Sequence, residues 1–462
     1  MIGDRPHDGG VLDATALEDS AYKKICLRII PILFVCYLIA YLDRINISFA
    51  KLEMLADTGL GNTAYAVGAS LFFWSYMVLE VPSNIILKKV GARVWIARIM
   101  VTWGIVSILT MFVNPLAQFF HVSTTTVFYT LRVLLGACEA GFLPGVFFYL
   151  SNWCPASKQS RVFAAFLMSL PISLVLGGPL SGWILQHSEG LGLYRGWQWL
   201  FFFEGAPSVI VGLVVWFLLP NNIETAKWLT AGEKQALSHA LASESSSKTG
   251  SVLAAIKDFR VWMLILIIVA LNIGFYGLSF WLPSIIHQAG ITNTFTIGLL
   301  SAIPWLFSVP CMLINAAHSN RTGERRWHAA GPALLSGVAF ILSAMVSHNF
   351  PLALGLLSVA VGAMLAAFPV YWTFPNQLLT GAAAAAGLAL INSIGALAGV
   401  AGAMTSMVAE KVTGDMNNGT YVFGICLLIG GLLILAIPRA MSAREKPSAG
   451  TKAAAFEHRS FD

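Results

Sequence analysis

Long apolar runs, each near the length of a membrane-crossing helix, alternate with short polar breaks along almost the whole chain. They fall at about 25–50, 63–87, 92–113, 124–150, 161–186, 197–219, 259–286, 296–317, 328–347, 351–373, 382–409 and 419–438. A spanning helix needs about 20 apolar residues. Spanning β-strands need only about ten, with an alternation these runs lack. Twelve helices are therefore predicted, an all-α membrane protein. One long polar stretch, Pro220 to Asp258, divides them six and six. Within it, Thr225 to Ala242 has the pattern of a surface helix, and Ser243 to Gly250 reads as a flexible connection. The expected organisation is a polar tail over 1–24, a six-helix bundle over 25–219, a linker over 220–258, a second bundle over 259–438 and a polar tail over 439–462.

Composition agrees. The 462 residues are 57% hydrophobic and 11% charged, against about 25% charged in soluble proteins. The net charge of +6 does not point to nucleic acid, because no basic run is interleaved with aromatics. Lys and Arg instead mark alternate loops: Lys23, Lys24 and Arg28; Lys88, Lys89 and Arg93; Lys158 and Arg161; Arg321, Arg325 and Arg326; Arg439 and Arg444. The opposite loops 114–123, 287–295 and 348–350 have none, with Lys51, Arg195 and Lys411 as single exceptions. Basic loops stay cytoplasmic, so both termini are expected inside, in the inner membrane of a cell. Residues 1–22 lack a signal-peptide pattern. The loop after the second run reads Lys89-Val90-Gly91-Ala92-Arg93 and the loop after the eighth reads Arg321-Thr322-Gly323-Glu324-Arg325. This is the trace a duplicated six-helix unit would leave, as in the major facilitator architecture.

Charges inside the apolar runs carry the functional information. They are expensive at bilayer depth and persist in a protein interior or a watery path. Arg132 and Glu139 are nearly two turns apart and share a face of the fourth helix, with Gly136 between them. One reading is a buried pair that only locks helices. The other is a proton site at Glu139 beside an anion-binding Arg132. Asp43 and Arg44 lie in the outer half of the first helix. Adjacent residues point about 100° apart, so one should face the cavity and the other a neighbouring helix. An interfacial ion pair is the alternative. Glu80, near Lys88 and Lys89, is expected to gate the cytoplasmic side with Lys89, Arg93, Arg321 and Arg325. Glu204 reads as structural, and Arg98 as facing lipid headgroups or the basic loop. The second half holds neutral groups instead: Asn272, Tyr276, Trp281, Asn315, Trp372, Asn376, Gln377 and Asn392. Tyr276, Trp372 and Asn392 lie deepest and are the candidates for a substrate wall. Gly387, Gly395, Gly399 and Gly402 give a face suited to close helix contact. The six cysteines form no CxxC pair and the histidines are scattered. No nucleophile elbow, Walker A or HExxH motif occurs, so neither an enzyme, a cofactor nor a metal is expected.

The chain resembles the anion:cation symporter family of the major facilitator superfamily. The stretches that carry this are Tyr41 to Ala50, Glu80-Val81-Pro82-Ser83-Asn84, Lys89 to Ile96, Glu139 to Gly145 and Gly196 to Phe201. It is most similar to bacterial 4-hydroxyphenylacetate permeases and tartrate-type transporters. The resemblance implies proton-coupled uptake of organic carboxylates. By it, Arg44 and Arg132 contact substrate, Asp43 and Glu139 handle protons, Tyr41 and Tyr76 line the first-half wall and Asn392 the second. The superfamily's loop signature often has an Asp-Arg pair where Lys89-Val90 stands. The expectation is a monomeric carboxylate:proton symporter whose partners are a small organic anion, protons and the bilayer. A drug:proton antiporter and a metabolite sensor that does not transport are the rivals.

Overall fold

The computed structural model describes residues 9–244, 252–378 and 382–437. The Ser243 to Gly250 connection lies almost wholly outside these, as do the C-terminal tail with Arg439 and Arg444, and nothing is described of the Asn376 and Gln377 side chains. Among the described residues, twelve helices are long and apolar enough to cross a bilayer. They form two six-helix bundles joined by the linker. In order, the first-half spans are Ala16–Thr58, Asn62–Val90, Ala92–Thr110, Thr124–Ser151, Arg161–Ser188 and Gly196–Leu218. Those of the second half are Phe259–Gln288, Thr294–Thr322, Arg326–Met345, Phe350–Pro375, Leu390–Thr413 and Met416–Ala436.

The end of the molecule that carries the linker is here called the linker face, and the other the far face. On the linker face a helix over Ala231–Glu244 packs against the N-terminal helix, which starts at Gly9 rather than near the first apolar run. Glu233 fixes the contact. It accepts from Lys24 Nζ at 2.8 Å and Ser20 Oγ at 2.7 Å, and it also receives the Thr230 N–H at its own helix start (2.8 Å). Burial alone would push this carboxyl up, but the donors from Lys24, Thr230 and Ser20 outweigh it and hold the pKa at about 2. A carboxylate held below its ordinary value of about 4.3 stabilises the docked state above that pH and loses the contribution as pH falls through about 2. Hydrogen exchange over 231–244 should therefore stay protected from neutral pH down to about 4. It should rise on further acidification, and Glu233→Gln should abolish that acid-dependent step.

On the far face the halves touch closely. A Cβ on Gly178 would sit 2.5 Å from the Gly298 carbonyl oxygen, and one on Gly182 would strike the Thr294 carbonyl. The fifth and eighth spans thus meet backbone to backbone. Asn62 Nδ2 donates to both oxygens of Glu410 (2.9 and 2.7 Å), and Tyr65 Oη donates to the Phe280 carbonyl at 2.9 Å. Lys51, an exception in the loop pattern, lies at this end and is only 5% exposed. Its ammonium lies 3.7 Å from the Trp281 ring centre and 4.8 Å from that of Tyr65. Aromatic faces from both halves attract the cation and help close this end. The expected close-contact face of the eleventh span is also realised: a Cβ on Gly399 would enter the Phe73 ring across the interface, and one on Gly402 would lie 2.7 Å from the Gly277 nitrogen.

Candidate functional site

Four helices converge on the Arg44 side chain in the middle of the molecule. Asp43 and Arg44 divide their directions as adjacent helical residues must. Arg44 faces the space between the halves. Asp43, 2% exposed, turns into the third span, where it accepts from Trp103 Nε1 at 2.6 Å and from Ser107 Oγ. Asn46 Nδ2, one turn on, adds a third donor at 3.0 Å.

The fourth span supplies the partner of Arg44. Its first segment, Thr124–Glu139, stops at Glu139, and a second, Phe142–Ser151, starts after two intervening residues. Gly141 allows the break because its φ is +82°, and a Cβ there would lie 2.5 Å from Ser83 Oγ. Ser83 Oγ itself donates to the Ala140 carbonyl freed by the break (2.6 Å) and accepts from Trp95 Nε1 (2.9 Å). Residues of the second and third spans thus brace the turn that presents Glu139. One turn earlier, Gly136 gives way to the backbone of the second span: a Cβ would collide with the Phe72 carbonyl.

Glu139 accepts directly from Arg44 Nη2, an ion pair almost sealed from solvent. Arg44 also lies 4.8 Å from the Tyr41 ring centre, 5.5 Å from that of Phe72 and 5.6 Å from that of Tyr76. Its Nε has no hydrogen-bond partner among the described residues. Tyr276 and Asn392 complete the lining from the second half, with Tyr37 and Phe73. The free space is about 50 Å³, room for a few waters and far below the roughly 300 Å³ of the smallest ligand pockets. The ion pair occupies the centre, so an organic ligand enters only by separating Arg44 from Glu139 or by moving the halves apart.

The other expected residues are placed differently. Arg132 shares the face of Glu139 but does not line the cavity. It is 2% exposed, with Nε 3.4 Å from the Gly68 carbonyl and the guanidinium 5.2 Å from the Phe72 ring centre. The Phe72 ring thus contacts both arginines. Trp372 is also absent from the cavity wall. It follows Tyr371, whose hydroxyl is tied to the Leu264 carbonyl (2.8 Å), and it stacks edge-on against that ring. Glu80 makes no ion pair with Lys88 or Lys89. It crosses to the second half, accepting from Asn392 Nδ2 at 3.2 Å and Ser393 Oγ at 3.1 Å. Among the described residues Lys89, Arg93 and Arg321 form no ion pair. Arg325 donates to Ser319 Oγ (2.9 Å) inside its own half. Tyr37 and Ser393 were not singled out from the sequence, and Lys51 was noted only as an exception in the loop charges. The neutral residues carry no signal distinguishable from ordinary helix packing, and Lys51 looked like a loop cation.

Twelve spans in two bundles around a charged central cavity is a transporter's construction. The sequence profile described as Major Facilitator Superfamily matches residues 33–403. The chain belongs to that superfamily. It is a multi-pass membrane transporter. It is 44% identical over 420 residues to NicT of Pseudomonas putida, named for metabolite transport, covering 90% of this chain and 94% of that one. It is 42% identical to an Agrobacterium vitis protein named as a tartrate transporter (96% and 99% covered), and 38% identical to a quinolone resistance transporter of Acinetobacter baumannii (93% and 97%). Among solved structures, the Escherichia coli xylose transporter XylE superposes with a TM-score of 0.73 at 13% identity, covering 92% of this superfamily member and 99% of XylE. That likeness concerns the fold.

Proposed function

We propose that this transporter is a proton-coupled importer of a small organic carboxylate, of the anion:cation symporter type. The observation that carries the reading is the Arg44–Glu139 pair set among aromatic rings. A guanidinium offers a planar fork that fits a carboxylate. Substrate and Glu139 then compete for the same cation. When the substrate takes Arg44, Glu139 is left in an aromatic, poorly hydrated site without its counterion. It takes a proton rather than stay ionised there. Anion entry and proton entry become one event. On the return, the empty carrier re-forms the Arg44–Glu139 pair, which holds the cavity neutral while the halves rock. Tyr41, Tyr76, Tyr276 and Asn392 supply ring faces and polar edges for the cargo. The class fits an aromatic acid such as 4-hydroxyphenylacetate, tartrate or a sugar acid, and the relative named for tartrate supports it.

In this reading the linker face is cytoplasmic, following its Lys and Arg loops. Glu80, hydrogen-bonded to Asn392 and Ser393, is the inner closure, in place of a salt bridge to Lys89, Arg93, Arg321 or Arg325. Asp43 is the second proton carrier, and Arg132 acts through Phe72 and Glu139, not by touching cargo. The quinolone-resistance relative raises export of an aromatic drug as the second reading.

The test is made in proteoliposomes with no pH difference. A monoanion moving with two protons carries net positive charge, and each charge gains about 2.3 kcal/mol per 100 mV of inside-negative potential. Potential alone is expected to drive accumulation of a transported monocarboxylate. Lack of any response would leave Glu139 as the one carrier and make Asp43 a positioning residue. Quinolone export with no carboxylate uptake would replace this reading by the second.

A further inference from the structure

The third span, Ala92–Thr110, carries a cation on its outer side. Trp95, Arg98, Thr102, Ile105 and Leu109 recur at intervals of three and four, so they form one stripe along the helix. That stripe faces the bilayer. Ile105 is 46% and Leu109 36% exposed, whereas Ile96, Ile99, Met100 and Trp103, off the stripe, are fully buried. Trp95 and Arg98 are half-buried. Charge on such a face is costly unless it finds a partner. Arg44 has Glu139, and Arg132 reaches the Gly68 carbonyl. No acid or other acceptor among the described residues engages the Arg98 guanidinium, and its Nε is buried without a partner. The next polar group on the stripe, the Thr102 hydroxyl, donates to the Arg98 carbonyl at 2.8 Å. What Arg98 does have is a platform. Its guanidinium lies 3.8 Å from the Trp95 ring centre, and Trp95 is fixed by its Nε1 bond to Ser83 Oγ. Helical side chains lean toward the helix N-terminus, here the linker face. The guanidinium therefore reaches back from a Cα about 9 Å along the axis from Ala92, at 1.5 Å per residue, toward headgroup level. Tryptophan favours that same level.

We propose that Arg98, stacked on Trp95, binds the phosphate of an anionic phospholipid in the leaflet at the linker face. The planar fork matches two phosphate oxygens at once, and the ring beneath holds it in one orientation. The occupant is a lipid because the stripe runs on from Arg98 into Ile105 and Leu109, an apolar track for an acyl chain below the headgroup. It is an anionic lipid because the positive charge at this end is uncompensated. Lys88, Lys89 and Arg93 have no acidic partner among the described residues either. Basic sites between spans at the headgroup level favour anionic lipid. Neither Trp95 nor Arg98 lines the central cavity, and the inference does not depend on the identity of the cargo.

Native mass spectrometry of the purified, delipidated full-length protein, titrated with phosphatidylglycerol or phosphatidylcholine, tests this. The parent should bind its first phosphatidylglycerol more tightly than its first phosphatidylcholine. Arg98→Gln should weaken phosphatidylglycerol binding by about 5-fold or more, the change that corresponds to about 1 kcal/mol for one basic residue at an anionic surface. Excess inorganic phosphate should leave the bound lipid in place. Should Arg98→Gln fail to fold, Arg98→Lys is read instead: it keeps the charge but loses the fork, and should still bind phosphatidylglycerol more weakly than the parent. Phosphatidylglycerol binding as tight as the parent's in either folded variant overturns the proposal, and so does equal affinity of the parent for the two lipids. Displacement of the lipid by inorganic phosphate also overturns it, making Arg98 a site for free anions.

Discussion

Replacing Arg44 by lysine is expected to lower carboxylate uptake by on the order of 30-fold to a few thousand-fold, with the protein still folded and in the membrane. The estimate comes from the about 2–5 kcal/mol lost when one partner of a buried, hydrogen-bonded charge pair is compromised, converted at about 1.4 kcal/mol per tenfold. Lysine keeps the charge but not the fork, and its strongly hydrated ammonium fits poorly among Tyr41, Phe72 and Tyr76. The readout is initial uptake of labelled substrate at several concentrations, alongside surface expression. Arg132→Lys should cost less, because that guanidinium is separated from the cavity by the Phe72 ring. Equal losses would mean that Arg132 also reaches substrate during the cycle. Near-normal uptake by Arg44→Lys would remove Arg44 from the binding site.

The second large effect concerns coupling. Glu139→Gln imitates a permanently protonated acid, so the variant should fail to accumulate substrate uphill under a proton gradient. The ratio of internal to external substrate should fall to about one, the level of equilibration without coupling. Exchange of labelled for unlabelled substrate should continue, because it needs no proton release. It could even quicken, since Arg44 no longer has a competing anion. Accumulation as steep as in the parent protein would separate the proton from Glu139 and undo the competition mechanism.

Much of this arrangement was legible in the sequence because charge inside an apolar helix is rare. Arg44, Asp43, Glu139 and Arg132 stood out for that reason alone, as did the twelve spans. Helix phase was harder. That one of Asp43 and Arg44 faces the cavity follows from geometry, but which one does so depends on where the third span lies, and Trp103 and Ser107 decide it. Arg132 illustrates the limit of reasoning by helical face. It shares its face with Glu139, yet the second span crosses tightly at Gly136 and places Phe72 over the guanidinium. Glu80 shows a similar gap. Nearby lysines suggested an ion pair, whereas the partners are neutral groups from the other half. Trp372 looked deep by sequence position, but its ring packs edge-on against the anchored Tyr371 and is not part of the cavity lining. Lys51 was read only as one cation on the outer side, and its role between Tyr65 and Trp281 emerges only when the fold brings the two rings together.

The seam between the fifth and eighth spans has a consequence of its own. At Gly178, Gly182 and Gly298 the closed far face has no side chains to remove, so almost any substitution adds bulk, as a wedge does. Overpacking of this kind costs about 1–3 kcal/mol, which corresponds to about a 5- to 150-fold change in the ratio of two states. A single methyl group there acts on the balance of closed and open forms without touching Arg44 or Glu139. The seam is a mechanical setting, separable from recognition, through which the working range of the transporter can be retuned while its chemistry is left intact.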